Sequence, residues 1–468
     1  MTEVEQQHYK DLQIIQERMK YFFARKQKVN IYHGSTNSTR AQVFNKENLV
    51  DVSRFDRIIE INSEKQYVVV EPNVPMDKLI DATLQYNLVS PVVTELPGIT
   101  VGGGIEGGAE ESSSFKYGLL HNCCLEYEII LGNGEIITAT PEKNSDLYWG
   151  TAASYGSLGI LTLIKLRLVP IKEFIHLTYN TVRSFAEAIS FVKQKTSEPV
   201  NYIDGIMFSK NFGVIMTGTI TGISNLPIST FNKSTDEWFY LHALKISNQH
   251  EKYEELIPIR DYLFRYDRGA FWMGRYGFKL LKLPFTRVSR FIFDSICNTR
   301  TLYRLFHKSN LSQSYFIQDF NIPSKNTLEF LETVDKELQI YPIWICPLKP
   351  GKQDKLSANC ITTDLVFNIG VWGEAKKDFS DFVKLNRYFE QKSFELGGRK
   401  MLYAHSYYPS DDFWKVYDLK WYLDLRTKYH SINTFPSIYK KTLVSEKYKS
   451  SLFNGIWNLF LVYKLPTF

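Results

Sequence analysis

An α+β fold in two segregated blocks is what this sequence predicts, and three observations carry that reading. Short alternating apolar runs and helical stripes follow one another from end to end. Glycine is dense up to about residue 172 and sparse beyond it, which places the edge of a second block there. The protein has 468 residues, more than one ordinary core organises. Hydrophobic residues at 44% and charged residues at 23% exclude a disordered polypeptide.

Taken in order, residues 1–28 read as a charged helix with Leu12, Ile15, Met19, Phe22 and Phe23 on one stripe. Val29–Gly34 reads as a strand, followed by a loop of Ser, Thr and Asn. Arg57–Asn62 and Tyr67–Pro72 alternate like strands across a turn, and Val74–Asn87 has helical spacing with Pro75 in its first turn. Gly98–Gly118 reads as a glycine-rich loop, and Gly132-Asn133-Gly134 as the turn of a hairpin. Ser145–Pro170 reads as a helix, a glycine turn and an exposed edge strand. Beyond residue 172, the strand-like runs FIHLTYN, YIDGIMFS and GVIMTGTI alternate with helices such as SFAEAISFVKQK and NTLEFLETVDKEL.

The net charge of +6 excludes a polyelectrolyte, but the balance is uneven. Between Arg260 and Lys308, eleven Lys and Arg stand against three Asp, interleaved with rings such as Phe271, Trp272, Phe285 and Phe291. No nucleic-acid motif accompanies them, so the readings are a solvated helical face or peripheral contact with an anionic membrane surface. Five cysteines without CxxC spacing argue against zinc or a disulfide scaffold and for a reducing compartment. The start MTEVEQQHYK is no signal peptide and no window is apolar enough to span a bilayer, so the expected location is cytoplasmic or peripheral on a membrane.

Chemistry concentrates in Gly98–Gly118, where Gly102, Gly103, Gly104, Gly107 and Gly108 let the backbone approach a ligand and offer N–H groups to a pyrophosphate. Neither a dinucleotide GxGxxG followed by a helix nor a Walker loop fits the spacing. With the flanking PVV, ELPGITVGG, SDLYWG, YGSLGI and LRLVP, the stretch resembles the FAD-binding domain of the vanillyl-alcohol-oxidase/p-cresol-methylhydroxylase (PCMH) superfamily. That resemblance implies a PCMH-type FAD-binding domain of two α+β subdomains over residues 1–172, an α+β substrate cap over 173–415, and a C-terminal return with an apolar tail over 416–468. It implies that Thr100, Val101, Gly102, Gly103, Ser112, Ser113, Gly156, Gly159 and Ile160 line the flavin. Glu111 orders its edge or solvates the loop, and Gly34 belongs to a first pyrophosphate loop that reads HGSTNSTRAQ. Glu110 stands where many members carry a linking His, which implies non-covalent FAD.

The blocks EPNVPMD, ESSSFKYGL, FIQDFNIP, YPIWICPLK, NIGVWGE and MLYAHSYY resemble the Δ24-sterol reductases, the seladin/diminuto group. The resemblance implies reduction of a carbon–carbon double bond in the side chain of a sterol or related isoprenoid, with FAD and with NADPH as electron donor. Such a reaction needs a proton donor, for which Asp319, Tyr403 and His405 are the candidates, and Tyr341 and Trp344 fall in a block that resembles the substrate wall. Arg265 and Arg268 meet either an NADPH phosphate or surface partners at Asp261 and Asp267. His121 follows KYGLL and is either structural or near the site. Trp421–Pro436 resembles the superfamily's return to the FAD domain, and Leu452–Tyr463 reads as an interfacial anchor or a packed terminal element. Two other readings stay open: an FAD-linked oxidase or dehydrogenase of an alcohol or sugar, and a non-catalytic, membrane-associated flavin protein.

Overall fold

In a computed structural model of the protein, residues 1–34, 38–40, 45–223, 225–375 and 377–449 are described. The first element is the helix Glu3–Ala24, started by a capping box in which Thr2 accepts from the Glu5 N–H while the Glu5 carboxylate accepts from the Thr2 N–H. The helix buries Leu12, Ile15, Met19 and Phe22, the stripe its sequence spacing marks. Its polar anchor is equally buried: His8 Nδ1 lies 2.8 Å from Glu71 Oε1, and Arg57 bridges Glu71 and Asp11. Burial opposes charge on His8, but hydrogen bonds to Glu128 and Glu71 outweigh it and raise the imidazole to about 9.

The N-terminal part holds β1 (Asn30–Tyr32), β2 (Leu49–Asp51), β3 (Ile58–Asn62), β4 (Tyr67–Val70), β5 (Leu88–Val89), β6 (Cys124–Ile130), β7 (Ile136–Ala139), β8 (Ile160–Arg167) and β9 (Val169–Pro170). Five of them form an antiparallel sheet in the order β3-β4-β8-β6-β7. The expected edge strand is therefore central: β8 pairs on both sides, and the buried run Ile160, Leu161, Thr162 and Ile164 suits a strand covered on both faces. Gly98–Gly118 is not simply a loop. Val101–Gly107 is helical, capped by Thr100, whose hydroxyl accepts from the Gly103 N–H at 3.2 Å, and closed by Gly108 at φ +70°.

The second part holds β10 (Phe174–Val182), β11 (Tyr202–Ser209), β12 (Phe212–Thr221), β13 (Lys252–Pro258), β14 (Tyr315–Pro323), β15 (Ile343–Leu348), β16 (Val366–Glu374) and β17 (Arg399–Lys400). They form one sheet in the order β13-β10-β12-β11-β15-β16-β14-β17, with every pair antiparallel. Alternation divides its faces. Phe316, Phe320, Ile343, Ile345, Phe367 and Ile369 join a core shared with the helices Phe185–Lys195, Thr327–Glu337 and Phe379–Glu395. Their neighbours Ile317, Asp319, Trp344 and Trp372 point away from that core, into a cavity that also reaches the glycine-rich helix.

A buried polar knot ties that inner face to residues 111–113. Arg265 Nη2 donates to Asp204 Oδ2 at 3.0 Å, with both side chains about 1% exposed. The same oxygen accepts from Tyr266 at 2.7 Å and Trp344 Nε1 at 3.2 Å. Ser112 Oγ lies 3.3 Å from the Tyr262 hydroxyl and donates to Glu111 Oε2 at 2.8 Å, while the Ile203 N–H donates to the Ser112 carbonyl. Removing one partner of such a pair strands a buried charge. Arg265→Met is expected to cost about 3–5 kcal/mol in denaturant unfolding, and Arg265→Met with Asp204→Leu should recover part of it; a loss below about 1 kcal/mol for the single variant would show that the knot does not hold the two parts together.

Candidate active site and cofactor cavity

The cavity has a volume of about 760 Å³, within the range of small-molecule and cofactor sites. Its first wall comes from the glycine-rich helix. Thr100, Gly103, Gly104 and Gly107, at helical spacing, face the cavity, while Val101, Gly102 and Ile105 face the core. Gly102 is needed for close approach, because a Cβ there would sit 2.6 Å from Pro72 Cβ. Gly107 is open, with nothing within 4 Å of the place a Cβ would take. The N–H groups are already engaged: Val101 donates to the Val74 carbonyl, Gly102 to the Pro72 carbonyl and Gly103 to Thr100 Oγ1. The expected presentation of these N–H groups to a pyrophosphate is thus not what the helix offers.

Charge at this end comes from side chains. Arg40 Nη1 donates to the Ala404 carbonyl at 3.0 Å and to that of Leu402, and Lys441 Nζ donates to the Gly156 carbonyl at 3.2 Å. Burial lowers Lys441 and raises Glu106 near it. Burial, with Lys441 adding to it, lowers His33 to about 4. Thr39 Oγ1, Thr94 Oγ1, Glu95 Oε1 and Glu110 Oε2 are buried polar atoms of the lining with no hydrogen-bond partner among the described residues. A cationic end, unmet polar atoms and a glycine face together fit a large polar cofactor with a diphosphate.

The opposite wall is apolar. It is built from Phe271, Trp344 and Trp372, with Phe271 and Trp372 centroids 4.6 Å apart, from Phe278, Leu302 and Phe306 of the helices that follow, and from Leu283 in a connecting segment. Where the walls meet stands a carboxyl pair. Asp319 Oδ2 accepts from Trp372 Nε1 at 3.0 Å and from the Tyr403 hydroxyl, and its Oδ1 has no partner among the described residues. Burial pushes Asp319 up to about 7, against the two hydrogen bonds that pull it down. Glu110 accepts from Asn368 Nδ2 at 3.1 Å and is raised well above the usual carboxyl range by burial, with Asp319 and Glu95 adding repulsion.

Of the residues singled out in the sequence, Thr100, Gly103, Gly156, Trp344, Asp319 and Tyr403 line this cavity. Val101 and Gly102 pack behind it; Glu111, Ser112 and Ser113 turn into the polar knot; Gly159 and Ile160 pack against β6 and the core of the first helix. Gly34 is followed by residues outside the description and is not itself in the wall. Tyr341 points to Asp335 at 2.6 Å, on the far side of the sheet from Trp344. His405 is buried beyond Tyr403, 3.4 Å from Ser312 Oγ, and burial lowers it well below the usual imidazole range, which disfavours the charged ring. Arg265 and Arg268 pair with Asp204 and Asp294 rather than with Asp261 and Asp267, and His121 meets Asp354 at 2.7 Å. Arg40, with His33, Ser38 and Thr39, belongs to the HGSTNSTRAQ segment read as a pyrophosphate loop; Glu95, Glu106, Tyr155 and Lys441 are lining residues that sequence pattern did not select, and a lone carboxylate amid glycines, at Glu106, was the available signal among them.

The fold and this cavity define an FAD-dependent oxidoreductase. A sequence model described as an FAD binding domain matches residues 9–140. The protein is 30% identical over 393 residues to the Delta(24)-sterol reductase of Homo sapiens, an overlap of 82% of this chain and 75% of that protein. It is 30% identical over 441 residues to the Delta(24)-sterol reductase of Arabidopsis thaliana, an overlap of 85% and 77%. Against the Delta(24)-sterol reductase homolog of Caenorhabditis elegans it is 27% identical over 465 residues, an overlap of 93% and 87%. The chain belongs to the Delta(24)-sterol reductase family.

The open space over Gly107 gives a direct check on where FAD sits. Gly107→Leu is expected to weaken FAD binding about tenfold or more, measured by flavin fluorescence on titration, while changing apo-protein stability by less than about 1 kcal/mol; unaltered FAD affinity would move the cofactor away from this helix.

Proposed function

We propose that this oxidoreductase reduces an isolated carbon–carbon double bond in the side chain of a sterol or related isoprenoid, with non-covalent FAD and with NADPH as electron donor. The observation that carries the proposal is the Asp319–Tyr403 pair, set where the polar and apolar walls of one cavity meet. When bound, FAD supplies hydride chemistry. The protein's own residues then have three tasks. The rings of Phe271, Trp344 and Trp372 exclude water and seat an apolar substrate. Arg40 and Lys441 hold negative charge at the opposite end. Asp319 and Tyr403 deliver the proton: as hydride reaches one alkene carbon, the hydroxyl or carboxyl proton passes to the other, and the pair regains it from solvent.

Glu110 is the residue that stands where superfamily relatives link FAD through His, and a carboxyl in that place supports a non-covalent cofactor. Burial, with repulsion from Asp319 and Glu95, raises Glu110 well above the usual carboxyl range, which favours a neutral group beside the Asp319 carboxyl.

The pH dependence follows from the direction of the Asp319 shift. The proton-bearing form is the active one, and Asp319 keeps its proton up to about 7. Turnover is expected to be flat below that pH and to fall as pH rises through it. Asp319→Asn should remove this limb and lower kcat about 10²–10⁴-fold, and Tyr403→Phe should lower kcat with little change in KM. The same limb persisting in Asp319→Asn would sink the assignment of Asp319. Peroxide formed from an alcohol under air, without NADPH, would instead support an oxidase.

A further inference from the structure

One helix beside the apolar end of the cavity is built inside out. In Arg287–Ile292, the buried side chains are Ser289 and Arg290, while Val288, Phe291 and Ile292 face solvent at 67%, 52% and 63% exposure. The buried face is no accident of packing: Arg290 pairs with Glu237 and lies over the rings of Trp238 and Phe285. Positions i, i+3 and i+4 put the three apolar side chains on one exposed face. Phe278 packs between Phe285 and Phe293, at 5.3 and 6.1 Å, which brings the end of the preceding helix, Gly274–Leu280, beside this face. Leu280, Leu281 and Phe285 extend the exposed apolar area.

We propose that this surface docks on an anionic lipid bilayer, and that the cavity opens to the bilayer there. Two further observations select that occupant. The segment Arg260–Lys308 has a net charge of +8 from eleven Lys and Arg and three Asp, and Lys282, Arg287, Arg304 and Lys308 have no acidic partner among the described residues. Apolar side chains flanked by unpaired cations match the interface of a membrane rich in acidic headgroups. In addition, Leu280 and Leu281 are both exposed and part of the cavity wall, so the apolar surface is continuous with the apolar end of the site. A substrate dissolved in the bilayer reaches the rings of Trp344 and Trp372 without crossing water. Docking itself does not depend on the identity of the substrate; only its use for substrate entry rests on the reductase reading above.

The test is sedimentation of the full-length protein with vesicles of phosphatidylcholine alone or mixed with phosphatidylserine. Binding to the mixed vesicles is expected, weaker without phosphatidylserine and weaker at high salt. Because Val288, Phe291 and Ile292 are exposed, the triple variant Val288→Asp/Phe291→Asp/Ile292→Asp should keep its far-ultraviolet circular dichroism and lose vesicle affinity about tenfold or more. Ile223→Asp, an exposed apolar residue elsewhere, should bind as the parent does. Undiminished binding by the triple variant, or an equal loss in Ile223→Asp, would overturn the proposal, as would a parent protein that binds neither vesicle. Turnover then separates the second claim: with substrate in vesicles the triple variant should be slowed, and with the same substrate in cyclodextrin it should match the parent. Equal slowing in both would deny the portal while leaving the docking result intact.

Discussion

The geometry of this protein depends on one buried ion pair, Arg265 with Asp204. Asp204 lies on β11, a strand of the eight-stranded sheet, and Arg265 lies in the turn that follows the helix Ile259–Leu263. Through Ser112, Tyr262, Tyr266 and Trp344 the pair joins the end of the glycine-rich segment to the inner face of the sheet. A buried charge pair contributes little net stability when compared with apolar replacements, but it tolerates few alternative geometries. Here the pair holds Trp344, through Asp204, and Ser112, through Arg265, in one hydrogen-bonded group. Asp319, Trp344 and Trp372 project from the sheet wall, and Tyr403 reaches Asp319 from the turn after β17.

The cavity changes character from end to end. Arg40, Lys441 and Glu106 lie at one end and a continuous surface of rings and leucines at the other. The carboxyl of Asp319 sits between, and its raised proton affinity is a consequence of that position: desolvation favours the neutral form, and the hydrogen bonds from Tyr403 and Trp372 only partly restore the charged one. A carboxylic acid that stays protonated near neutral pH, next to an apolar surface, is what protonation of a hydrocarbon carbon asks for.

Much of the fold was legible because its signals are local. The stripe Leu12, Ile15, Met19 and Phe22 and the alternating runs of β10, β11 and β12 read correctly, since periodicity reports burial directly. The central place of β8 was not legible, because a strand's neighbours are long-range facts that its own sequence does not hold. The candidate site was legible as segments rather than as individual side chains. Glu111 reads as a flavin-edge residue beside Glu110, and Tyr341 as a wall residue beside Trp344, and in each pair one faces the cavity and the other faces elsewhere. A motif locates a segment, but which of its residues face the site depends on the turn or pleat that follows, and that was not assigned. In the glycine-rich segment the helical turn decides the same question, so Thr100 and Gly103 face the cavity while Val101 and Gly102 do not. Leu452–Tyr463, read as an anchor or a packed element, falls outside the described residues.

The central claim is that one cavity brings reduced flavin, an apolar alkene and the Asp319–Tyr403 proton source together. The measurement that tests it most directly is an anaerobic half-reaction: reduce the FAD-loaded protein with NADPH, remove excess nucleotide, and add a sterol with a double bond in its side chain. The account predicts that the flavin colour returns with formation of one equivalent of saturated sterol, and that the return is slowed about 10²-fold or more in Asp319→Asn. Reduced flavin that stays colourless with the sterol and is reoxidised only by oxygen, to peroxide, would contradict it.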